Sequence, residues 1–417
     1  MGKIKQFWKS LGPGLITGAA DNDPAGIATY SIAGAQTGYG TLWILLFILP
    51  FMIAIQEMSA RIGALSGCGL AGNIKRYYPK WILCIAAIAI IGANIFNIGA
   101  DIYGMAGALN LLLPIDIRIL AVIVSLTTVL MTIFLRYRQI VAIFKWLALS
   151  LFAYLVVLLG VHPNWKSILI DTFIPTIHLD KQFFTVLFAV VGTTISPYLY
   201  FWQASEEAEE AHQHHPGIKV CRYHSSDEPM VHQLEWDTRI GMLFSNLISF
   251  FIVSLTAATI FHVGAQNINS LRDAAQALEP IAGSYTYYVF TLGIVSAGFL
   301  AIPVLAGSAA YVLAELFGWS ASLDKPFTKA RQFYLAIAAA IGVGILIPFL
   351  GISPLQALFY SAVINGLISP LLIFLVLHMS SNPAIVGPHR LRTSTHVLGH
   401  ISFLLMTAGA AFTLLSL

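Results

Sequence analysis

Charge is what this sequence most lacks. Only 10% of its 417 residues are Asp, Glu, Lys or Arg, against about 25% in soluble domains. So few charges cannot clothe a globule of this length in water, which excludes a soluble enzyme or signalling domain. Cysteine is nearly missing as well. Cys68, Cys84 and Cys221 lie far apart with no CxxC spacing, which supports neither a disulfide framework nor a thiolate metal site. No HExxH, GxSxG or pair of catalytic carboxylates occurs inside the apolar stretches, so the chain reads as a non-enzyme with no cofactor of its own. The net charge of +3 is small, and nucleic acid is not an expected partner. A cleavable signal peptide is not expected either. The first apolar stretch is interrupted by Pro13, Asp21, Asp23 and Pro24 and ends in no A-x-A site.

Apolar length is what the chain has in abundance. Apolar residues make up 58% of it, and its mean hydropathy is +0.80. A membrane span takes roughly 20 such residues. Eleven stretches qualify, at about 11–36, 42–63, 82–112, 118–136, 141–161, 183–205, 239–262, 284–317, 332–350, 354–378 and 396–416. The expected fold class is an all-α polytopic membrane protein with 11 transmembrane helices, because lipid leaves backbone groups unpaired outside helices and closed barrels. Residues 1–417 then form one integral-membrane unit whose surroundings are the lipid bilayer. Nothing in the sequence speaks to oligomeric state.

Basic residues orient that unit. With the N-terminus in the cytoplasm, 18 of the 22 Lys and Arg residues fall on inner segments. The other four, Arg118, Lys166, Lys181 and Arg272, fall outside. The positive-inside rule therefore sets the N-terminus inside and, after eleven spans, the C-terminus outside. The expected location is the plasma membrane, the inner membrane in a bacterium. The longest inner loop, about 205–238, carries Glu206, Glu207, Glu209, Glu210, His212, His214, His215, His224 and His232. With no HxxxH or CxxC spacing, it reads as a solvated loop rather than a metal sensor.

Two spans contain a breaker in their middle. Span 1 runs GPGLITGAADNDPAGIATYSIAG, with two carboxylates and Pro24 at mid-membrane depth. Span 6 runs FAVVGTTISPYLYFWQASEEAEE, with Gly192 and Pro197 around Thr193, Thr194 and Ser196. Proline removes an N–H and clashes with the preceding turn. Asp23-Pro24 and Ser196-Pro197 also read as an N-cap followed by an N1 proline. Spans 1 and 6 occupy equivalent places in two five-helix blocks, spans 1–5 (about 11–161) and 6–10 (about 183–378), entered from opposite sides. Span 11 (about 396–416) is extra. Paired interruptions in an inverted repeat point to a transporter's central site. The carbonyl ends near Ala20 and Thr193 carry partial negative charge and suit a cation. Asp23 is the main chemical clue, since a carboxylate at the bilayer centre marks an ion pathway. Capping alone would be served equally by Ser or Asn. Asp21 is either a pathway group or a solvated charge in a vestibule.

At these residues the sequence resembles the Nramp family of divalent-metal transporters. The stretches GPGLITGAADNDPAG, IQEMSARIGALSGCGLA and ADIYGMAGALNLLL carry the resemblance, which extends more loosely through GTTISPY to span 10. It implies a LeuT-type fold of two inverted five-helix repeats. The departures are informative. The family's usual Asp-Pro-Gly-Asn reads Asp23-Pro24-Ala25-Gly26 here, so the carboxylate stays and the amide is gone. Its usual Met-Pro-His reads Ser196-Pro197-Tyr198, which replaces a thioether with a hydroxyl and a histidine with a tyrosine. Gly104 stands where an acid would follow Asp101 by one turn. This pattern resembles the divergent, magnesium- and manganese-associated branch. The implied site for the transported ion is Asp23, the carbonyls of Ala20 and Thr193, Gly26, and the hydroxyls of Thr193, Thr194 and Ser196. Oxygen donors without sulfur suit magnesium and manganese over softer metals.

Other polar residues have structural readings. Asp101 and Glu315 either line a pathway or, in the favoured reading, form ion pairs near the inner face, with Arg331 one option for a partner. Glu57 and Arg61, four apart, read as a helix-face pair with a gating or structural role. Asn97 and Asn365 suit interhelical hydrogen bonds, Asn365 as a second contact to the ion. Tyr198 and Asp21 complete the pathway set, and Tyr200, Phe201 and Trp202 read as packing or an interface belt. The expected function is import of a divalent cation, manganese or magnesium with iron a further candidate, weakly or not coupled to protons. A sodium- or proton-coupled carrier of an organic solute such as an amino acid is the alternative. Such carriers usually keep span 1 free of a central carboxylate, and Asp23 speaks against it.

Overall fold

The computed structural model describes residues 13–135, 139, 151–178, 180–214, 221, 228–261, 268–323, 325–389 and 391–416. Among these residues every regular element is helical and no strand occurs. The first half contains α1 (Pro13–Ala20), α2 (Pro24–Thr37), α3 (Leu42–Ser66), α4 (Leu70–Tyr77), α5 (Lys80–Asn110), α6 (Ile117–Phe134), α7 (Phe152–Gly160) and α8 (Trp165–Phe173). The second contains α9 (Lys181–Thr194), α10 (Pro197–His214), α11 (Glu228–Thr256), α12 (Thr286–Phe317), α13 (Arg331–Gly344), α14 (Pro354–Ser380) and α15 (Thr393–Ser416), with short helical turns between several of them.

Nine runs among the described residues are long and apolar enough to cross a membrane. Two of the eleven expected spans merge here, because Pro24–Ser66 forms one apolar run. Of the expected fifth span, about 141–161, residues 141–150 lie outside the described residues, and the rest holds α7. The outer surface is what lipid requires: Ile88, Phe134 and Trp81 are 73%, 77% and 63% exposed. A water-facing surface would not carry such side chains in number.

The interior is held by close helix approach. α1 and α2 both pack on α11, α10 packs on α3, α9 on α14, and α5 between α12 and α14. At Gly18 the approach is backbone to backbone, since a Cβ there would lie 2.1 Å from the Gly241 carbonyl oxygen. Asp237 of α11 accepts from the Gly14 N–H at 2.7 Å and so satisfies a free donor at the start of α1. Tyr200, Phe201 and Trp202 are buried, which makes them packing residues rather than an interface belt.

Three expectations change here. The polar stretch from 205 is not loop at its start, because α10 continues to His214; His215 and His224 lie outside the described residues. Glu315 does not pair with Arg331 but accepts from the N–H groups of Gly69 and Gly72, both at 2.7 Å, and so caps α4. Cys68 and Cys221, 153 positions apart, are joined as a disulfide. Local spacing cannot reveal a pair that only the tertiary fold brings together.

Candidate cation site at two interrupted helices

Both interruptions follow from local chemistry. α1 stops at Ala20, and Pro24, with no N–H to give, becomes the first residue of α2. Asp23 adopts an extended backbone (φ −74°, ψ 168°), and its Oδ1 accepts from the Gly26 N–H at 2.6 Å. That is an N-cap on a proline-started helix. α9 ends at Thr194 and α10 restarts at Pro197. Ser196 turns its hydroxyl back to donate to the Thr193 carbonyl at 2.7 Å. The Ile195 carbonyl, inside the gap, accepts from Ser369 of α14 at 3.1 Å.

The two gaps face each other. The Tyr198 hydroxyl donates to the Ala20 carbonyl at 3.2 Å and also faces the Asp23 carboxylate. A Cβ on Gly26 would lie 3.2 Å from Asp23 Oδ1 and 3.4 Å from Thr193 Oγ1. Those oxygens therefore flank one small space that glycine leaves open. Thr194 donates to the Val190 carbonyl at 2.7 Å and pairs with the Tyr30 hydroxyl at 2.9 Å. Ala20, Asp21, Asp23, Thr193, Thr194, Ser196 and Tyr198 are all buried.

A third helix completes the wall. Asn97 of α5 donates to Asp23 Oδ2 at 2.9 Å and to Asp101 Oδ2 at 3.4 Å. The Ala25 N–H donates to Asp101 Oδ1 at 3.2 Å. The favoured ion pair for Asp101 is therefore replaced by a place beside Asp23, and among the described residues no salt bridge reaches it. Burying an unpaired carboxylate is costly, so two of them side by side mark a place where a cation would lower the energy. Among the described residues no three or more His, Cys, Asp or Glu side chains form a metal cage. The donor set is open and made of oxygen. It suits a hard cation that keeps part of its water.

Residues 14–416 match the Nramp family, natural resistance-associated macrophage protein-like. The chain belongs to this family. It is a multi-pass membrane transporter and not an enzyme. It is 25% identical over 392 residues to the divalent metal cation transporter MntH of Caldanaerobacter subterraneus subsp. tengcongensis, covering 91% of this chain and 86% of that one. Identity to MntH of Acidiphilium cryptum is 24% over 396 residues, covering 93% and 85%. In structure it is similar to the manganese transporter of Eremococcus coleocola, with a TM-score of 0.76 at 19% identity, over 98% of this chain and 87% of that one. A more distant likeness, TM-score 0.54 at 13% identity over 97% and 92%, joins it to the closed form of Mhp1, a nucleobase-cation-symport-1 family transporter.

Within this Nramp chain the remaining candidates sort by distance from the gaps. Glu57 and Arg61 do not pair with each other. Arg61 Nη1 meets Glu235 Oε1 at 2.7 Å, and Glu57 Oε1 meets Arg239 Nε at 2.5 Å. Arg239 and Arg392 also approach Glu235, at 3.7 and 3.6 Å. This is one network tying α3 to α11, away from the gaps. Asn365 is buried, but among the described residues its side chain makes no hydrogen bond to the site oxygens; Ser369, one turn on, supplies the contact from α14. Sequence reading missed Ser369, Glu235 and Ser245. The i,i+4 spacing of Glu235 and Arg239 was the one available local signal.

Proposed function

We propose that this Nramp chain imports a divalent metal ion, manganese or magnesium with iron a further candidate, by alternating access at the gaps between α1 and α2 and between α9 and α10. The observation that carries this reading is the buried Asp23 carboxylate beside Asp101, facing Thr193 across the space left by Gly26. Asp23, the carbonyls of Ala20 and Thr193, Gly26, and the hydroxyls of Thr193, Thr194 and Ser196 form the ion site in this reading, with Asp101 as the second charge. A preference for softer transition metals would be served by a sulfur or imidazole donor, and neither occurs at positions 196 and 198. The curated relatives named for divalent metal transport and the solved manganese transporter support the substrate class.

The architecture in this reading has eleven spans, two inverted five-helix repeats and both interruptions at mid-membrane depth. It sits in a bacterial inner membrane with the N-terminus inside and the C-terminus outside. Two features support transport with little or no proton coupling. Tyr198, a neutral donor, stands at the histidine position and engages the Ala20 carbonyl. At Gly104 an added Cβ would meet the Leu358 side chain at 2.8 Å, so the usual place of an acid faces an apolar group.

The test is uptake in proteoliposomes containing the purified chain, with labelled manganese and competition by magnesium, calcium, iron and cadmium, against a labelled amino acid. Saturable manganese uptake, inhibited by magnesium and untouched by amino acids, is expected. Amino-acid uptake without metal uptake would overturn the reading in favour of the organic-solute carrier.

A further inference from the structure

We propose that Asp21, Asn22 and Ser245 form a second cation subsite, for a monovalent ion of sodium size, on the α11 side of the same gap. Asp23 faces α5 through Asn97, whereas Asp21 is held from α11. The Ser245 hydroxyl donates to Asp21 Oδ2. The same hydroxyl oxygen accepts from Asn22 Nδ2 at 3.1 Å. One serine 223 positions away thus fixes both side chains through a single directed chain of hydrogen bonds. Each is left with one free oxygen. Asp21 Oδ1 and Asn22 Oδ1 are buried and have no hydrogen-bond partner, on residues only 2% and 1% exposed. Two bare acceptors in a membrane interior are costly, and a donor or a cation removes that cost.

Charge selects the cation. Asp21, Asp23 and Asp101 bring three carboxylates to the gap, and among the described residues no salt bridge reaches any of them. A dication beside Asp23 and Asp101 offsets two negative charges. The third lies on Asp21, and a second dication there would leave an excess positive charge buried in turn. A single positive charge matches it. The donors are carboxylate, amide carbonyl and hydroxyl oxygens, a hard set with no nitrogen or sulfur, which suits an alkali ion. Interrupted helices are where transporters place such coupling ions. The proposal uses the transported-ion reading only to assign the dication to Asp23 and Asp101.

The experiment measures binding of radioactive sodium to the purified full-length protein in detergent, with choline keeping ionic strength constant. Wild type should bind sodium saturably at one ion per chain. Asp21→Asn should weaken that binding at least ten-fold and Ser245→Ala several-fold, while Asp23→Asn should keep it within a few-fold and lose manganese binding. Ser245→Ala decides the matter if Asp21→Asn does not fold. Absence of saturable sodium binding in wild type between pH 5.5 and 8.5 would overturn the proposal. So would binding unchanged in Asp21→Asn or Ser245→Ala, or sodium binding lost with manganese binding in Asp23→Asn. A failure of manganese uptake in wild type that keeps Asp21-dependent sodium binding would overturn the transport reading and leave this subsite standing.

Discussion

The Tyr198 hydroxyl donates to the Ala20 carbonyl across 3.2 Å, and this bond joins the two helix interruptions directly. It ties the start of α10 to the last residue of α1, so the two gaps are one mechanical unit. Tyr198→Phe removes the donor without changing the ring. The Ala20 carbonyl then loses a buried partner, at a cost of about 1–3 kcal/mol. Thermal unfolding in detergent should move to lower temperature, and manganese uptake should fall several-fold. Unchanged unfolding and uptake would show that the bond contributes nothing.

Asp23 has two jobs in the geometry, as a cap for α2 and as a charge at the gap. Substitution separates them. Asparagine caps a helix about as well as aspartate but carries no charge. Both Asp23→Asn and Asp23→Ala should reduce manganese uptake to background, with Asp23→Asn keeping wild-type expression and thermal stability. Near-normal uptake by Asp23→Asn would leave the residue a cap and nothing more.

The network at Glu235 carries a stability prediction. Arg61 and Glu235 have side chains only 8% and 7% exposed, and removing one member of a buried pair costs about 3–5 kcal/mol because the other charge is stranded. Glu235→Gln strands both Arg61 and part of Arg239. Arg392, whose side chain is 56% exposed, should matter far less, about 0–1 kcal/mol for Arg392→Gln. Denaturation of the two variants in matched detergent checks the order. Equal losses would mean that burial does not govern this network.

The legible parts of the fold were those with local causes. Pro24 and Pro197 announce the gaps because a missing N–H acts where it stands. Asp23 announces itself as a charge within an apolar run. What escaped was pairing over distance: Ser245 with Asp21 across 224 positions, Arg61 with Glu235 across 174, and Cys68 with Cys221 across 153. Glu315 was misread because its partners are backbone N–H groups, which side-chain charge counting never sees. The stretch after Ser205 was read as loop from its polarity, yet EEAEEAHQH is dominated by Glu, Ala and Gln, strong helix formers. The polar side chains there are largely packed: Glu207 is buried, and Glu206 and Glu209 accept from the Tyr311 hydroxyl.

Ser196 tests the origin of metal preference. Its position matches the family's thioether, and sulfur favours softer ions. In the present geometry its hydroxyl donates to the Thr193 carbonyl, so Ser196→Met would both free that carbonyl and offer sulfur. Cadmium should gain on magnesium in a competition assay by roughly ten-fold or more. Unchanged relative affinities would mean that the side chain does not reach the ion.

Coupling gives the last prediction. A proton relay needs groups that titrate near neutral pH, and histidine does so near 6.5 whereas tyrosine stays neutral until about 10. In the proposed reading Tyr198 therefore works as a fixed hydroxyl donor rather than a proton carrier, and Gly104, packed against Leu358, offers no second station. The membrane potential alone can drive the flux: a dication gains about 4.6 kcal/mol from 100 mV, twice the single-charge value. Manganese uptake into liposomes carrying a pH-sensitive dye should rise with an inside-negative potassium diffusion potential and leave the internal pH nearly constant. Tyr198→His places a titratable ring at the junction of the gaps and should make uptake depend on external pH. Acidification in wild type comparable in size to the metal flux would overturn uncoupled transport, and the proton acceptor would then have to be sought among Asp23 and Asp101, the two carboxylates that Asn97 bridges.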